Sequence, residues 1–152
     1  MPFETIGSAL RSYNTLSLEN DRLYHDIARR LGLSDCTLWI LYTLRVEPAP
    51  LTLSRLCHLL HLPKQTLHSA LKSLERDGCI LQREGTDRRN RLLYLTDQGV
   101  ALARRTADQV IAAEQEAFSA LSSQEQRAFL VLFAKYTRSL RQYFTAVDFP
   151  VE

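Results

Sequence analysis

The sequence has few of the residues that mark secreted or zinc-binding proteins. Among its 152 residues there are three cysteines, Cys36, Cys57 and Cys79, an odd number at wide spacing. Such a pattern argues against a disulfide framework, and there is no Cys-x-x-Cys pair to hold zinc. The five glycines and five prolines stand between periodic segments, so the chain is neither a repeat nor a low-complexity protein.

Long apolar runs and catalytic motifs are also missing. No stretch approaches the roughly 18 apolar residues of a membrane span, and MPFETIGSALRSYN lacks the blocks of a secretion signal. We therefore expect a cytoplasmic protein with no membrane partner. There is no glycine-rich phosphate loop, nucleophile elbow or zinc-hydrolase motif, so we predict no enzyme activity and no cofactor.

Net charge alone does not identify a partner, because 19 Lys and Arg nearly balance 17 Asp and Glu. The distribution is more informative. Residues 62–94 contain seven Lys and Arg and four Asp and Glu, a net charge of +3, so the rest of the chain carries −1. The basicity is concentrated in this segment, which favours an anionic partner there.

Apolar residues recur at helical spacing along the N-terminal third of the chain. A long first helix is predicted over residues 3–31, either continuous or broken near Ser17, with Gly32 as its C-terminal signal. Ser34 and Asp35 then offer an N-cap for a second helix, CTLWILYTLRV, which is so apolar that most of its sides must be buried.

The next segment has the pattern of a winged helix. Thr52 caps the short helix LSRLCHLL, and Pro63 leads into a fourth helix, KQTLHSALKSLER, which Gly78 ends. Two strands follow, CILQRE and RLLYLT, joined by the turn GTDRRN. A helix-turn-helix followed by a β-hairpin makes the predicted fold mainly α with a small hairpin wing.

Two helices are predicted at the C-terminal end. The fifth extends from Thr96 over residues 97–121, and a capping box of Ser122 and Glu125 starts the sixth, which ends near Phe144. One face of the sixth helix is apolar and aromatic, and one small domain cannot cover it. Its members are Phe129, Leu132, Phe133, Tyr136, Leu140, Tyr143 and Phe144.

The fourth helix has one apolar and one polar face. The apolar stripe consists of Leu67, Ala70, Leu71 and Leu74. The polar face consists of Gln65, His68, Ser69, Lys72 and Arg76, with Lys64, Gln65 and Thr66 at the N-terminal end. Short polar side chains between cations suit a helix that enters a DNA major groove, although a solvated surface is the alternative.

The hairpin tip carries the densest positive charge. Arg88, Arg89 and Arg91 can neutralise phosphates or enter a narrow minor groove. Asp87 stands among them, and its use would be to hold an arginine two positions away by a charge-assisted hydrogen bond. A simple turn residue is the other interpretation of Asp87.

The run from Asp87 to Thr96 resembles the wing signature D-x-R-x-x-x-V-x-L-T of the MarR family of bacterial transcriptional regulators, with Leu93 for the valine. Asp97-x-Gly99 and the segment LERDGCI extend the resemblance, which covers the order of elements along essentially the whole chain. The resemblance implies a homodimer that binds palindromic double-stranded DNA. Residues 1–33 and 122–152 would dimerise, 34–96 would bind DNA, and 97–121 would link the two.

Carried over from the family, the fourth helix enters the major groove and the wing arginine the minor groove. On this resemblance the DNA-binding residues would be Lys64, Gln65, Thr66, His68, Ser69, Arg88 and Arg89. The charge of the polar helix face and of the hairpin tip adds Lys72 and Arg91. The chain departs from the family pattern at Ser69 and Ser73, where arginine is frequent, which weakens phosphate contact there or transfers it to Lys72.

Family members typically respond to a small aromatic or anionic effector, to oxidation or to zinc. Tyr13, Tyr24, Trp39 and Tyr42 are candidates to line an effector cleft, and core packing is the alternative. Cys36, at the start of the second helix, is a candidate redox residue or an inert small hydrophobe. No histidine follows His68, and we predict no metal site.

The sequence thus predicts a dimeric, sequence-specific transcriptional regulator, a repressor that a small molecule releases from DNA. A thiol-based redox regulator of the same fold is one alternative. A winged helix that binds proteins instead of DNA is another.

Overall fold

A computed structural model describes residues 5–85 and 91–148 of the chain. Within these ranges there are seven helices and three strands. The helices are α1 (Ile6–Arg30), α2 (Asp35–Val46), α3 (Leu53–Leu60), α4 (Lys64–Arg76), α5 (Asp97–Arg105), α6 (Ala107–Ser119) and α7 (Ser123–Ala146). The strands are β1 (Leu51–Thr52), β2 (Ile80–Arg83) and β3 (Leu92–Leu95). The predicted fold class, mainly α with a winged helix-turn-helix, is confirmed.

Side-chain caps start the helices where the sequence placed them. The hydroxyl of Ser34 accepts from the amide of Thr37, and Thr52 and Thr96 cap α3 and α5 in the same way. Each hydroxyl satisfies an amide that the first turn leaves without a helical partner. Ser122 and Glu125 form the predicted capping box, and these hydrogen bonds lower the pKa of the Glu125 carboxyl.

Three details differ from the sequence prediction. The first helix is continuous through Ser17, so the optional break there is wrong. The predicted fifth helix over residues 97–121 is interrupted at Thr106, which divides it into α5 and α6. The wing sheet has a third strand, β1, which the sequence prediction did not include.

The sheet is antiparallel in the order β1-β3-β2. Leu93 of β3 pairs with Leu51 of β1 and with Gln82 of β2, and its side chain is fully buried. Leu95 lies on the same face and packs on the core from its edge, as the two-residue period of a strand requires. Strand β3 is thereby fixed to the body of the domain.

Thr96 joins the wing to α5. Its amide donates to the carbonyl oxygen of Cys79 at 3.1 Å, and its hydroxyl donates to the carbonyl of Gly78 at 2.6 Å. The same hydroxyl accepts from the amide of Gly99 at 3.0 Å. The turn after α4 and the start of α5 therefore meet at Thr96.

The core lies between α2, α3, α4 and the inner face of the sheet. Each of its large apolar side chains contributes about 1.5–3 kcal/mol to stability. The most completely buried are Leu38, Ile40, Leu41, Leu56, Leu67, Leu71, Ile80 and Leu93.

The chain divides into two compact units, Met1–Ile111 and Ala112–Glu152. In the second unit, the ring of Phe118 contacts Phe129 edge-on at 6.2 Å, and Phe129 stacks on Phe133 at 5.8 Å. The side-chain amide of Gln126 donates to the carbonyls of Phe118 and Leu121 and holds the turn before α7. Among the described residues there is no helix with the length and hydropathy that a bilayer crossing requires.

Candidate nucleic-acid interface

The apolar stripe of α4 fixes the rotation of this helix. Leu67, Leu71 and Leu74 are 0%, 1% and 4% exposed and belong to the core, where α4 packs against α2 and β2. Ala70 is half-buried beside them. Because these side chains occupy one side of the helix, the residues between them must point away from the core.

The opposite side of α4 is an exposed polar surface. The predicted DNA-binding residues of this helix are all exposed: Lys64, Gln65, Thr66, His68, Ser69 and Lys72. The hydroxyl of Ser69 donates to the carbonyl of Gln65 at 3.0 Å, so that side chain lies against the helix. Six side chains with donors and acceptors for base edges or phosphates thus share one accessible face.

The N-terminal end of α4 is suited to an anion. Pro63 occupies the cap position, no side chain caps the first turn, and the first turn contains no acidic residue. The amides of this turn and the positive end of the helix dipole are therefore available to an external acceptor. Lys64, at the first helical position, adds a full positive charge.

A chain of side chains connects α4 to the base of the wing. Gln82 of β2 donates from its amide nitrogen to a Glu75 carboxylate oxygen at 3.2 Å. Its amide oxygen accepts from Arg91 at 3.5 Å, and Arg91 is exposed. Three predicted residues of the tip, Asp87, Arg88 and Arg89, lie outside the described residues.

Arg83 is a cation of the wing that the sequence prediction did not name as a site residue. Its guanidinium lies 5.4 Å from the ring centroid of Tyr94, a cation–π contact across β2 and β3. The strand period provides the missing signal, because Tyr94 pairs with Leu81, two residues before Arg83, and so lies on the same face. Arg83 is therefore an exposed cation on the outer face of the wing strands, opposite to the face on which Gln82 contacts α4.

A cleft of about 970 Å³ borders the polar face of α4. It is lined by the end of α1, the start of α2, most of the length of α4 and one residue of α5, with apolar side chains and several hydroxyls. At its rim, His25 Nδ1 lies 3.0 Å from a carboxylate oxygen of Asp35. Other lining residues are Arg29, Ser34, Cys36, Thr37, Gln65, Thr66, Ser69, Ala70, Ser73, Leu74, Cys79 and Leu102.

The residues predicted to bind an effector do not line this cleft. Three of them form an aromatic cluster instead, with the ring of Trp39 4.9 Å from Tyr24 and 5.3 Å from Tyr42. Tyr13 lies eleven positions before Tyr24 on α1 and is half-buried. The rings pack on one another beside the core, so the alternative of aromatic packing describes their geometry better than an open cleft wall does.

Burial opposes thiolate formation at two of the cysteines. Burial raises the pKa of the Cys36 thiol, whose sulfur lies 3.9 Å from the carbonyl of Thr66, and this is opposite to what a reactive thiol needs. Burial also raises the pKa of Cys79. Within the described parts of the chain, no group of three His, Cys, Asp or Glu side chains has the spacing of a metal site.

Comparison with known proteins gives consistent matches. Residues 31–90 match the family model described as MarR family. The HTH-type transcriptional regulator PecS of Dickeya dadantii is 31% identical over 143 residues, which cover 91% of this chain and 83% of PecS.

Solved structures agree with the overall architecture. NMB1585, a MarR family regulator from Neisseria meningitidis, superposes with a TM-score of 0.79 at 23% identity, over 91% of this chain and 97% of that one. Sco3205, a MarR family transcriptional regulator from Streptomyces coelicolor in complex with DNA, has a TM-score of 0.68 at 25% identity over 92% of each chain.

Proposed function

The chain belongs to the MarR family of DNA-binding transcriptional regulators and is not an enzyme, and we propose that it is a homodimeric repressor of a palindromic operator. In this proposal, two α4 helices enter successive major grooves and a small molecule releases the protein. The observation that carries the proposal is the exposed, uncapped and cationic N-terminal half of α4, fixed in orientation by the buried leucine stripe on its other side.

The α4 surface suits major-groove recognition. Gln65 and His68 can donate to or accept from base edges, whereas Lys64 at the first position of the helix and Lys72 about two turns later can reach phosphates of the groove walls. Thr66 and Ser69 are short enough for the backbone to come close. Arg76, also exposed, is held by Asp77 at 3.0 Å and by Ser73 at 3.1 Å, so it is less free to contact DNA.

The wing supplies the second contact. We assign Arg88 and Arg89 to the adjacent minor groove and Asp87 to ordering Arg89, on the evidence of the sequence pattern alone. Arg91 is supported by its contact with Gln82, which connects it to Glu75 of α4. That chain of contacts connects the base of the wing to α4.

The homodimer is supported by apolar surface that the single chain leaves exposed. No residue of α7 is buried, and Phe129, Leu130, Val131, Leu132 and Phe133 are all 47–66% exposed. On α1, Ile6, Leu16, Leu18 and Leu23 are exposed as well. Contiguous apolar surface of this kind marks a protein interface, so we assign residues 1–33 and 122–152 to dimerisation and 97–121 to the link with the DNA-binding residues 34–96.

The effector is proposed to bind in the cleft beside α4. Gln65, Thr66 and Ser69 belong both to this cleft and to the polar face, so a ligand there competes directly with DNA. Arg29 has no ion-pair partner among the described residues and suits a ligand with one negative group. The volume is within the range of small-molecule sites.

DNA selection tests the main proposal. The full chain is incubated with a random duplex library, and the bound DNA is sequenced and then titrated at several salt concentrations. We expect an inverted repeat with half-sites about one helical turn apart, and affinity that falls steeply with salt. If nothing is enriched and no duplex shows salt-sensitive binding, the winged helix serves another purpose, such as protein binding.

Two matched arginine variants test the wing. Arg89→Ala should weaken operator binding strongly while the protein stays dimeric. Arg22→Ala is the control, because Arg22 is an exposed arginine of α1 whose ion pair with Asp26 is long, at 3.5 Å. Equal affinities for the two variants would show that the wing assignment is wrong.

The effector proposal is tested by release of bound DNA with benzoate and indole-3-acetate as probes. Arg29→Met alters the cleft, and Trp39→Leu alters the aromatic cluster. If Arg29→Met needs a higher probe concentration than the parent to release DNA, and Trp39→Leu does not, the result supports binding in the cleft. A change confined to Trp39→Leu assigns the effector to the aromatic cluster that the sequence predicted.

A further inference from the structure

The α5–α6 segment is a helix in two parts. Thr106, with φ of −130° and ψ of −90°, separates α5 from α6. Neither glycine nor proline occurs in the neighbouring sequence RRTADQV, so the usual local causes of a helix break are absent from it. The local cause that remains is the Thr106 side chain, and contacts with other parts of the fold add to it.

Side chains satisfy the carbonyl groups at the break. The hydroxyl of Thr106 donates to the carbonyl of Leu102 at 2.7 Å, and the side-chain amide of Gln109 donates to the carbonyl of Arg104 at 3.1 Å. These bonds replace helical amide donors at the point where the ladder is interrupted. Thr106 is 3% exposed and Ala107 is fully buried, so this is a packed joint rather than a frayed end.

One ion pair connects α6 to the winged helix beside this joint. Arg45, in the last turn of α2, donates from Nε and Nη2 to the two carboxylate oxygens of Asp108, both at 2.8 Å. This forked geometry fixes direction as well as distance. The side chains are 32% and 27% exposed, unlike the exposed pair of Arg22 and Asp26 on α1.

The electrostatics agree with the geometry. The hydrogen bond to Asp108 raises the pKa of Arg45, and the hydrogen bond from Arg45 lowers the pKa of Asp108. Both residues therefore stay charged at neutral pH. Arg104 lies close enough to favour the Asp108 carboxylate as well, but it makes no ion pair within the described residues.

We propose that Arg45 and Asp108 are positioning residues for DNA binding, which set the separation of half-sites that the dimer accepts. The inference rests on the proposed function, because it requires a dimer on two half-sites. The 13 residues of α6 extend about 20 Å. A rotation of roughly 10° at the joint would displace the far end of α6 by about 3 Å, close to one base-pair step.

The experiment uses the full chain and operator duplexes whose half-site separation is changed by −1, 0, +1 and +2 base pairs. The variants are Arg45→Met, the isosteric Asp108→Asn and the double variant. Arg104→Met is the matched control, because it removes a cation from the same neighbourhood without removing a hydrogen bond to Asp108. Sedimentation of each variant establishes that the dimer is intact.

We expect the parent to prefer one separation and each single variant to lose at least about threefold of that preference. The double variant should resemble the single variants, because the two side chains act through one another. The control should keep the parent profile.

Two results would overturn the inference alone: variants that share the parent profile, or variants whose affinity falls equally at all separations, which indicates a loss of stability only. If the parent itself shows no preferred separation, the proposed function is overturned and the positioning role with it.

Discussion

Gly99 occupies a position where a single methyl group should be strongly unfavourable. It is the third residue of α5 and is buried. A Cβ atom built there would overlap the carbonyl oxygen of Cys79 and would lie 3.1 Å from Cδ2 of Leu95. The obstacle is backbone, and that carbonyl accepts the hydrogen bond from Thr96, so it cannot move away freely.

The magnitude follows from two opposing effects. Overpacking a rigid site costs about 1–3 kcal/mol, and the upper half of that range applies because backbone must shift. Alanine offsets at most about 1 kcal/mol of this by its better helix propensity. We therefore expect Gly99→Ala to lower the free energy of unfolding by about 2 kcal/mol, which for a chain of this size corresponds to roughly 4–8 °C in Tm.

Thermal and urea unfolding followed by circular dichroism measure the effect at one fixed protein concentration, since dimerisation contributes to apparent stability. Gly7→Ala is the matched control, because its Cβ would meet Thr5 Oγ1 at 3.8 Å, an ordinary contact. It should be neutral or slightly stabilising. If Gly99→Ala unfolds like the parent, the close approach of α5 to Cys79 is wrong.

The remaining predictions concern the interface, DNA recognition and pH. Phe133→Asp should convert the dimer to a helical monomer, because it places a carboxylate in the apolar surface of α7, and sedimentation equilibrium would detect a dimer that persists. Lys72→Ala should weaken binding to all duplexes alike and reduce the slope of log affinity against log salt concentration by about 1, because Lys72 is assigned to a phosphate. Gln65→Ala should instead relax the base preference at one position of the operator. Identical selection profiles for the two variants would contradict these assignments. Asp108 has a folded pKa below its unfolded value of about 3.9, so its stabilisation is present above that pH and disappears as the pH falls through the folded pKa. The stability difference between parent and Asp108→Asn, about 1 kcal/mol at neutral pH, should therefore shrink between about pH 5 and 2, and a constant difference would show that the ion pair does not contribute.

The helix starts could be predicted because their causes are local. Ser34, Thr52, Thr96 and Ser122 each bond to an amide three residues ahead, so the sequence contains both partners. The leucine stripe of α4 is similarly local, since its spacing alone assigns the buried face. The polar face of the candidate interface followed from that assignment.

The features that the sequence did not predict depend on distant partners. The short strand β1 exists because Leu51 finds Leu93 more than forty residues later. The break at Thr106 lies in a segment of good helix formers, next to a contact with Arg45 on another helix. The cleft was not predicted for the same reason, because its walls come from α1, α2, α4 and α5, which are distant in the sequence.

The junction at Thr96 has a consequence for local opening of the protein. The wing strands cannot separate from α5 unless the bonds to Gly78, Cys79 and Gly99 break together. The amides of Thr96 and Gly99 should therefore exchange with solvent through one shared opening, as a single cooperative unit. The base of the wing and the first turn of α5 then open together, so fluctuations at this end of the hairpin are coupled to the helix that follows it.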